Sequence, residues 1–147
     1  MFKHILVPTD GSALSQSSVA RAASYAKETQ ARITLIYAQP EAPSVYAGLG
    51  AVSGAHVTQE IQSRLDSGAK DILDAAQAIV AEAGASCERM VLTGTRPYEL
   101  IIQAAEATGS DLIFMASHGR HGVGALLLGS ETQKVLAYSK IPVLVYR

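Results

Sequence analysis

Five short apolar runs punctuate the chain, at residues 5–7, 33–38, 90–93, 112–116 and 142–146, and apolar positions recur at helical spacing between them. The first run, Ile5-Leu6-Val7, closes on Pro8-Thr9-Asp10-Gly11-Ser12, which reads as a buried strand entering a turn and a helix cap. In the segment that follows, 12–27, Val19, Ala22, Ala23 and Ala26 fall on one stripe of a helix. Ile61, Leu65, Ala69, Ile72, Ala76, Ile79 and Ala83 predict a long helix that Gly84 ends. Gly68 within it costs about 1 kcal/mol relative to Ala, which predicts close packing there or a kink. A further helix starts near Pro97, carries Leu100, Ile101, Ala104 and Ala105, and ends at Gly109; the last covers 130–138. Residues 39–56 show no period and contain Pro40, Pro43, Gly48, Gly50 and Gly54, so an irregular excursion is expected. Its Tyr46, Leu49 and Val52 fit either a lid or partner surface, or a loop without function.

The order β-α-β-α-β-α-β-α-β calls for an α/β fold: a single open, five-stranded parallel sheet, Rossmann-like, with helices on both faces and right-handed crossovers. Sheets of this type take ligands beyond the carboxyl ends of their strands, which points to the loops after Val7, Ala38 and Ala116. A length of 147 residues fits one domain, 1–147, with room for a real core.

Charge narrows the function. Twelve Lys and Arg against thirteen Asp and Glu, with no run of like charge, leave no electrostatic footprint for nucleic acid. No apolar run reaches the 18 or more residues of a membrane span, and no signal peptide precedes the first strand, so a cytoplasmic location is expected. Cys87 is the one cysteine, which excludes an intrachain disulfide and a cysteine zinc site.

Candidate chemistry gathers after the fourth strand, in Met115-Ala116-Ser117-His118-Gly119 and onward to Gly129-Ser130. The glycines run G-x-x-G-x-G rather than G-x-G-x-x-G and follow the wrong strand for a dinucleotide fingerprint. Gly124 to Ser130 has Walker-like glycine spacing but no lysine. A turn at Gly119 and a helix opened by Gly129-Ser130 suit an anion, phosphate above all, held by free backbone N–H groups. The same residues also fit a plain capping box of Ser130 and Gln133. Asp10 is placed to accept from a ribose hydroxyl or to hold magnesium, or simply to cap a helix. His118 and His121 lack further ligands for zinc, and Ser117-His118 lacks the strained elbow of a hydrolase nucleophile; no catalytic residue stands out.

Taken together, Ile5-Leu6-Val7-Pro8-Thr9-Asp10-Gly11-Ser12, Met115-Ala116-Ser117-His118-Gly119 with Gly129-Ser130, and Pro142-Val143-Leu144-Val145 resemble the universal stress protein family over the whole chain. Nucleotide-binding members carry G-x2-G-x9-G followed by Ser or Thr; Gly119, Gly129 and Ser130 match its second half, and Ala116 replaces the first glycine. The resemblance implies strand order 3-2-1-4-5 and an ATP site, with or without magnesium, at the ends of strands one, two and four. It implies that Pro8, Thr9 and Asp10 flank adenine and ribose, that the Ala38 backbone reads the adenine edge, and that Met115 packs under the base. His118 and Gly119 would line the phosphate path, and Gly129, Ser130, Glu131 and Thr132 would meet the phosphates, Glu131 through its backbone N–H. It also implies a homodimer through the exposed strand Val143 to Tyr146, and a nucleotide-dependent stress-response or signalling role in which the 119–129 loop changes order for a protein partner. Ala116 keeps open a nucleotide-free protein acting through its dimer surface, and slow ATP hydrolysis is the enzymatic alternative.

Overall fold

The computed structural model describes residues 1–44, 51–120 and 127–147. The elements are β1 (His4–Pro8), α1 (Ala13–Thr29), β2 (Arg32–Gln39), α2 (Ala51–Glu82), β3 (Cys87–Thr93), α3 (Pro97–Thr108), β4 (Leu112–Ala116), α4 (Ser130–Tyr138) and β5 (Val143–Tyr146). The five strands are parallel, in the order β3-β2-β1-β4-β5. Each central strand alternates between two apolar layers. Ile5, Val7, Ile33, Leu35, Leu112 and Phe114 pack under α1 and α2 against Val19, Ala23, Leu73 and Val80. Leu6, Ile36, Ile113 and Met115 pack under α3 and α4 against Ile101, Ala104 and Val135. Alanines on the buried faces of α1 and α3 let those helices lie close to the sheet.

Helix ends follow local chemistry. Ser12 caps α1 by accepting from Ser15 N, and Gln30 closes it in the left-handed region at φ 58°. Pro97 opens α3 and Gly109, at φ 66°, ends it.

Four expectations need correction. Helix α2 begins at Ala51, so the second half of the expected excursion is helical; Tyr46 and Leu49 lie outside the described residues. The buried stripe of α2 is Ala69, Leu73, Ala76 and Val80, with Ile72 and Ile79 only half-buried, because the face that packs on α1 and β2 is centred on the first four. Strand β3 starts at Cys87, three residues early; its edge position leaves Glu88 and Arg89 exposed and hides the apolar signal. Gly68 is neither packed nor needed for a turn: a Cβ there meets no atom within 4 Å. Gly68→Ala is therefore expected to stabilise the fold by roughly 1 kcal/mol, seen as a higher denaturant midpoint with unchanged slope.

Candidate functional site

The loops after β1, β2 and β4 meet at the carboxyl edge of the sheet. Pro8 is the last β1 residue in register with β2, opposite Ile36, and Thr9 N donates to Ile36 O at 2.9 Å. That bond turns the Ile36 carbonyl toward β1. Backbone groups alternate between the two edges of a strand, so the N–H and C=O of Ala38 also face the β1 side, past the point where β1 has ended. Gln39 confirms the parity: its carbonyl faces β3, where Gly94 N donates to it at 3.0 Å. The end of β2 thus presents one donor and one acceptor side by side along an open edge.

Asp10 stands at the end of β1. Its Oδ1 accepts from Ser12 N at 2.9 Å and its Oδ2 from Arg120 N at 2.8 Å. Burial pushes its carboxyl up, but hydrogen bonds from Ser12, Arg120 and Ser15 outweigh that and hold it below the usual range. A Cβ on Gly119 would collide with Asp10 Oδ2, and one on Gly11, whose φ is +77°, would press on the Arg120 guanidinium and on Ile72. The chain after β4 therefore lies directly on the turn after β1, and only glycine at 119 permits it. Thr9 is buried, its hydroxyl shared with Ser15 Oγ and Gly11 N, so it shapes the turn from inside.

The start of α4 is built from the same region. Gly129 N donates to Ser117 O at 2.7 Å, pinching residues 117 and 129 together, and a Cβ on Gly129 would sit 3.1 Å from His118 Cα. Gly129 is the N-cap, and no side chain caps the helix. The expected capping box is absent: Ser130 is the first helical residue, and Gln133 Nε2 donates to Leu128 O instead. The N–H groups of Ser130, Glu131 and Thr132 consequently have no intrahelical acceptor and carry the positive end of the helix dipole.

The side chains of this turn point away from those N–H groups. Thr132 is buried and its hydroxyl donates to Ala116 O at 3.1 Å. Glu131 Oε2 accepts from Tyr98 N at 2.8 Å, at the start of α3, and its Oε1 pairs with Lys134. The Glu131 carboxylate is thus turned toward a neighbouring helix. Tyr98 stacks near Tyr138 with Lys134 over its ring, which fixes the pair of helices.

Met115 lies in the α3/α4 layer with 6% of its surface exposed, and Ala116 ends β4 opposite Tyr146. Pro8 and Ala38 are half-buried and Gly119 is exposed. Ser117 Oγ and His118 Nδ1 share a hydrogen bond at 3.1 Å, an alignment not expected of sequence neighbours; the hydroxyl is buried, and no carboxylate orients the ring among the described residues. His121, Gly122 and Gly124 lie outside those residues. No group of three His, Cys, Asp or Glu able to hold a metal occurs among the described residues, and both Asp10 oxygens already accept backbone N–H groups. Arg120 is not legible in the sequence as a site residue, being 110 positions from the carboxylate its N–H meets.

The family model described as "Universal stress protein family" matches residues 1–147. The chain belongs to that family. A universal stress protein of Thermus aquaticus is 34% identical over all of both chains. Among solved structures, protein MJ0577 of Methanocaldococcus jannaschii superposes with a TM-score of 0.81 at 28% identity, over 99% of this chain and 95% of that one. A universal stress protein solved in complex with cAMP superposes at 0.72 with 26% identity, over 99% and 97%. No described helix is long and apolar enough to cross a membrane.

Proposed function

We propose that this universal stress protein binds an adenine nucleotide, ATP by expectation, across the ends of β2, β1 and β4. The supporting observation is the order of three complementary groups along that edge. Ala38 offers an adjacent N–H and C=O, which suit the ring nitrogen and amino group of adenine. Asp10 follows as an ionised acceptor for ribose hydroxyls, flanked by Pro8 and Thr9. The uncapped first turn of α4 comes last as an anion cradle, with Ser130, Glu131 and Thr132 offering backbone N–H groups and Gly129, its own N–H held by Ser117 O, setting the start of the turn. Base, sugar and phosphate have the same order. His118 and Gly119 border the path between them, and Met115 lies beneath β4 as part of the floor. The cAMP complex of a relative accords with this class of ligand.

Each Asp10 oxygen keeps acceptor capacity beside its one backbone donor, so a ribose hydroxyl shares Asp10 with the Arg120 N–H; binding and loop position are thereby linked, and a ligand moves the loop only by preferring one arrangement. That linkage supports a signalling role in the stress response, read by a protein partner. Calorimetric titration of nucleotide-stripped protein with ATP and magnesium is expected to show about one site per chain, with AMP as comparison. No heat at millimolar ATP from a folded protein would favour the nucleotide-free alternative. Turnover of ATP that disappears in Asp10→Ala would favour the enzymatic one.

A homodimer through β5 belongs to the same proposal. Tyr146 O accepts from Ser117 N and Pro142 O from Ile113 N, so the backbone groups of 142, 144 and 146 face β4 and those of Val143 and Val145 face outward. Val145→Pro removes an outward N–H without breaking the β4 ladder. Sedimentation is expected to show a dimer for the parent chain and a folded monomer for this variant.

A further inference from the structure

Glu131 is the acidic residue in the first turn of α4, a place where a carboxylate gains from unpaired N–H groups and the positive end of the helix dipole. No side chain caps α4, so those N–H groups stand open beside it. Yet the carboxylate does not serve its own helix. Its Oε2 accepts from Tyr98 N, in the first turn of α3, at 2.8 Å, and its Oε1 accepts from Lys134 Nζ at 3.1 Å. Helix α3 lacks an acceptor of its own there: its N-cap is Arg96, which makes no side-chain cap bond, and Pro97 follows. Glu131 therefore does for α3, from another helix, what an N-cap side chain does.

Both partners of the carboxylate are themselves held. The Lys134 ammonium lies 5.4 Å from the centre of the Tyr98 ring, and that ring lies 5.5 Å from the ring of Tyr138. The main chain of the α4 turn is fixed separately, by Gly129 N on Ser117 O and by the Thr132 hydroxyl on Ala116 O. Loss of the Tyr98 contact thus frees the carboxylate and leaves the turn in place. A freed carboxylate competes with phosphate, because both are anions drawn to the same N–H groups.

We propose that Glu131 is a positioning residue of the nucleotide site: α3 holds its carboxylate off the first turn of α4 and so keeps those N–H groups open to phosphate. This rests on the nucleotide reading. The requirement is one of reach at constant charge. Aspartate carries the same charge on a side chain one methylene shorter, which falls short of Tyr98 N and favours the first turn of its own helix. Glutamine keeps the reach and an acceptor oxygen for Tyr98 N and gives up the charge. A residue without a carboxylate at 131 needs no such tether.

Titration calorimetry with ATP, and with adenosine as the probe that lacks phosphate, compares the parent with Glu131→Asp and Glu131→Gln. Glu131→Asp is expected to bind ATP about fivefold more weakly and adenosine within about twofold of the parent, the size of a carboxylate's interaction with a helix start. Its Tyr98 amide proton should exchange with solvent faster than in the parent. Glu131→Gln should bind ATP more tightly than the parent, with the Tyr98 amide still protected. A parent and Glu131→Asp of equal ATP affinity would overturn the inference while leaving the nucleotide reading intact. Adenosine weakened as much as ATP in Glu131→Asp would also overturn it, since residue 131 would then act through general structure. A parent that binds neither ligand would remove the nucleotide reading and this inference together.

Discussion

A Gly119→Val chain is expected to lose about 100-fold or more in nucleotide affinity while remaining folded and dimeric. The first side-chain carbon at 119 collides with Asp10 Oδ2, and Asp10 cannot withdraw because Ser12 N holds its other oxygen. The loop must therefore lift off Asp10, which carries the backbone that follows it out of the phosphate path. Loss of two charge-assisted contacts between loop backbone and phosphate, at about 1.5–3 kcal/mol each, accounts for that expectation. Position 119 is exposed and belongs to no helix or strand, so the core has no reason to respond. Titration calorimetry beside sedimentation reads both halves of the expectation. Affinity unchanged from the parent would remove the 119–129 loop from the site.

Acid should weaken the fold in two separate steps, the first of them traceable to His4. This residue is 4% exposed at the amino edge of the sheet, with Nε2 paired to Thr34 Oγ1 at 2.8 Å and Arg32 beside Nδ1. Burial pushes its imidazole below the ordinary 6.5, and the Arg32 charge adds to this; a backbone contact at Thr108 and the charges of Glu88 and Asp111 oppose it. The unfolded chain therefore takes up a proton before the folded one does. Stability is level above about pH 6.5 and falls as pH drops below it, by at most about 1.4 kcal/mol per pH unit for one proton. The second step belongs to Asp10 and Asp111. Burial raises both carboxyls, yet backbone N–H groups, those of Lys3 and His4 for Asp111, hold both below the ordinary 3.8. Their contribution is present above that value and lost beneath it. Denaturant midpoints measured from pH 8 to 3 in the parent and in His4→Gln separate the steps: the variant should lose the first and keep the second. A first step that survives in His4→Gln would assign it to another group.

The strands and helices were readable where burial is two-sided or the apolar stripe is unbroken. β1 and β4 carry continuous apolar runs because both faces are covered, and Pro97 and Gly109 mark α3 through fixed backbone preferences. The start of α2 was not readable, since Gly54 and the polar residues after it give no stripe. β3 lost its first three residues because an edge strand exposes alternate positions. At the candidate site, strand ends pointed to Asp10 and Ala38, and a helix start pointed to Gly129. Contacts made across the fold left no trace in local pattern: Arg120 N on Asp10, and Tyr98 N on Glu131. The second of these turns the Glu131 side chain toward α3 and leaves its own N–H at the start of α4.

The groups best placed for a ligand at this edge are main-chain atoms: the N–H and C=O of Ala38 and the first N–H groups of α4. Every residue type except proline supplies them. Side chains at 38, 130 and 131 can therefore drift widely between relatives while the recognition chemistry is inherited unchanged. The main-chain part of the proposed site is removed by substitutions that displace backbone, such as a side chain at 119 or 129, or a proline at 38, while Asp10 is its one side-chain acceptor. Relatives about one-third identical to this chain should thus be compared by their glycines and strand ends, and overall identity is a poor guide to whether the site survives.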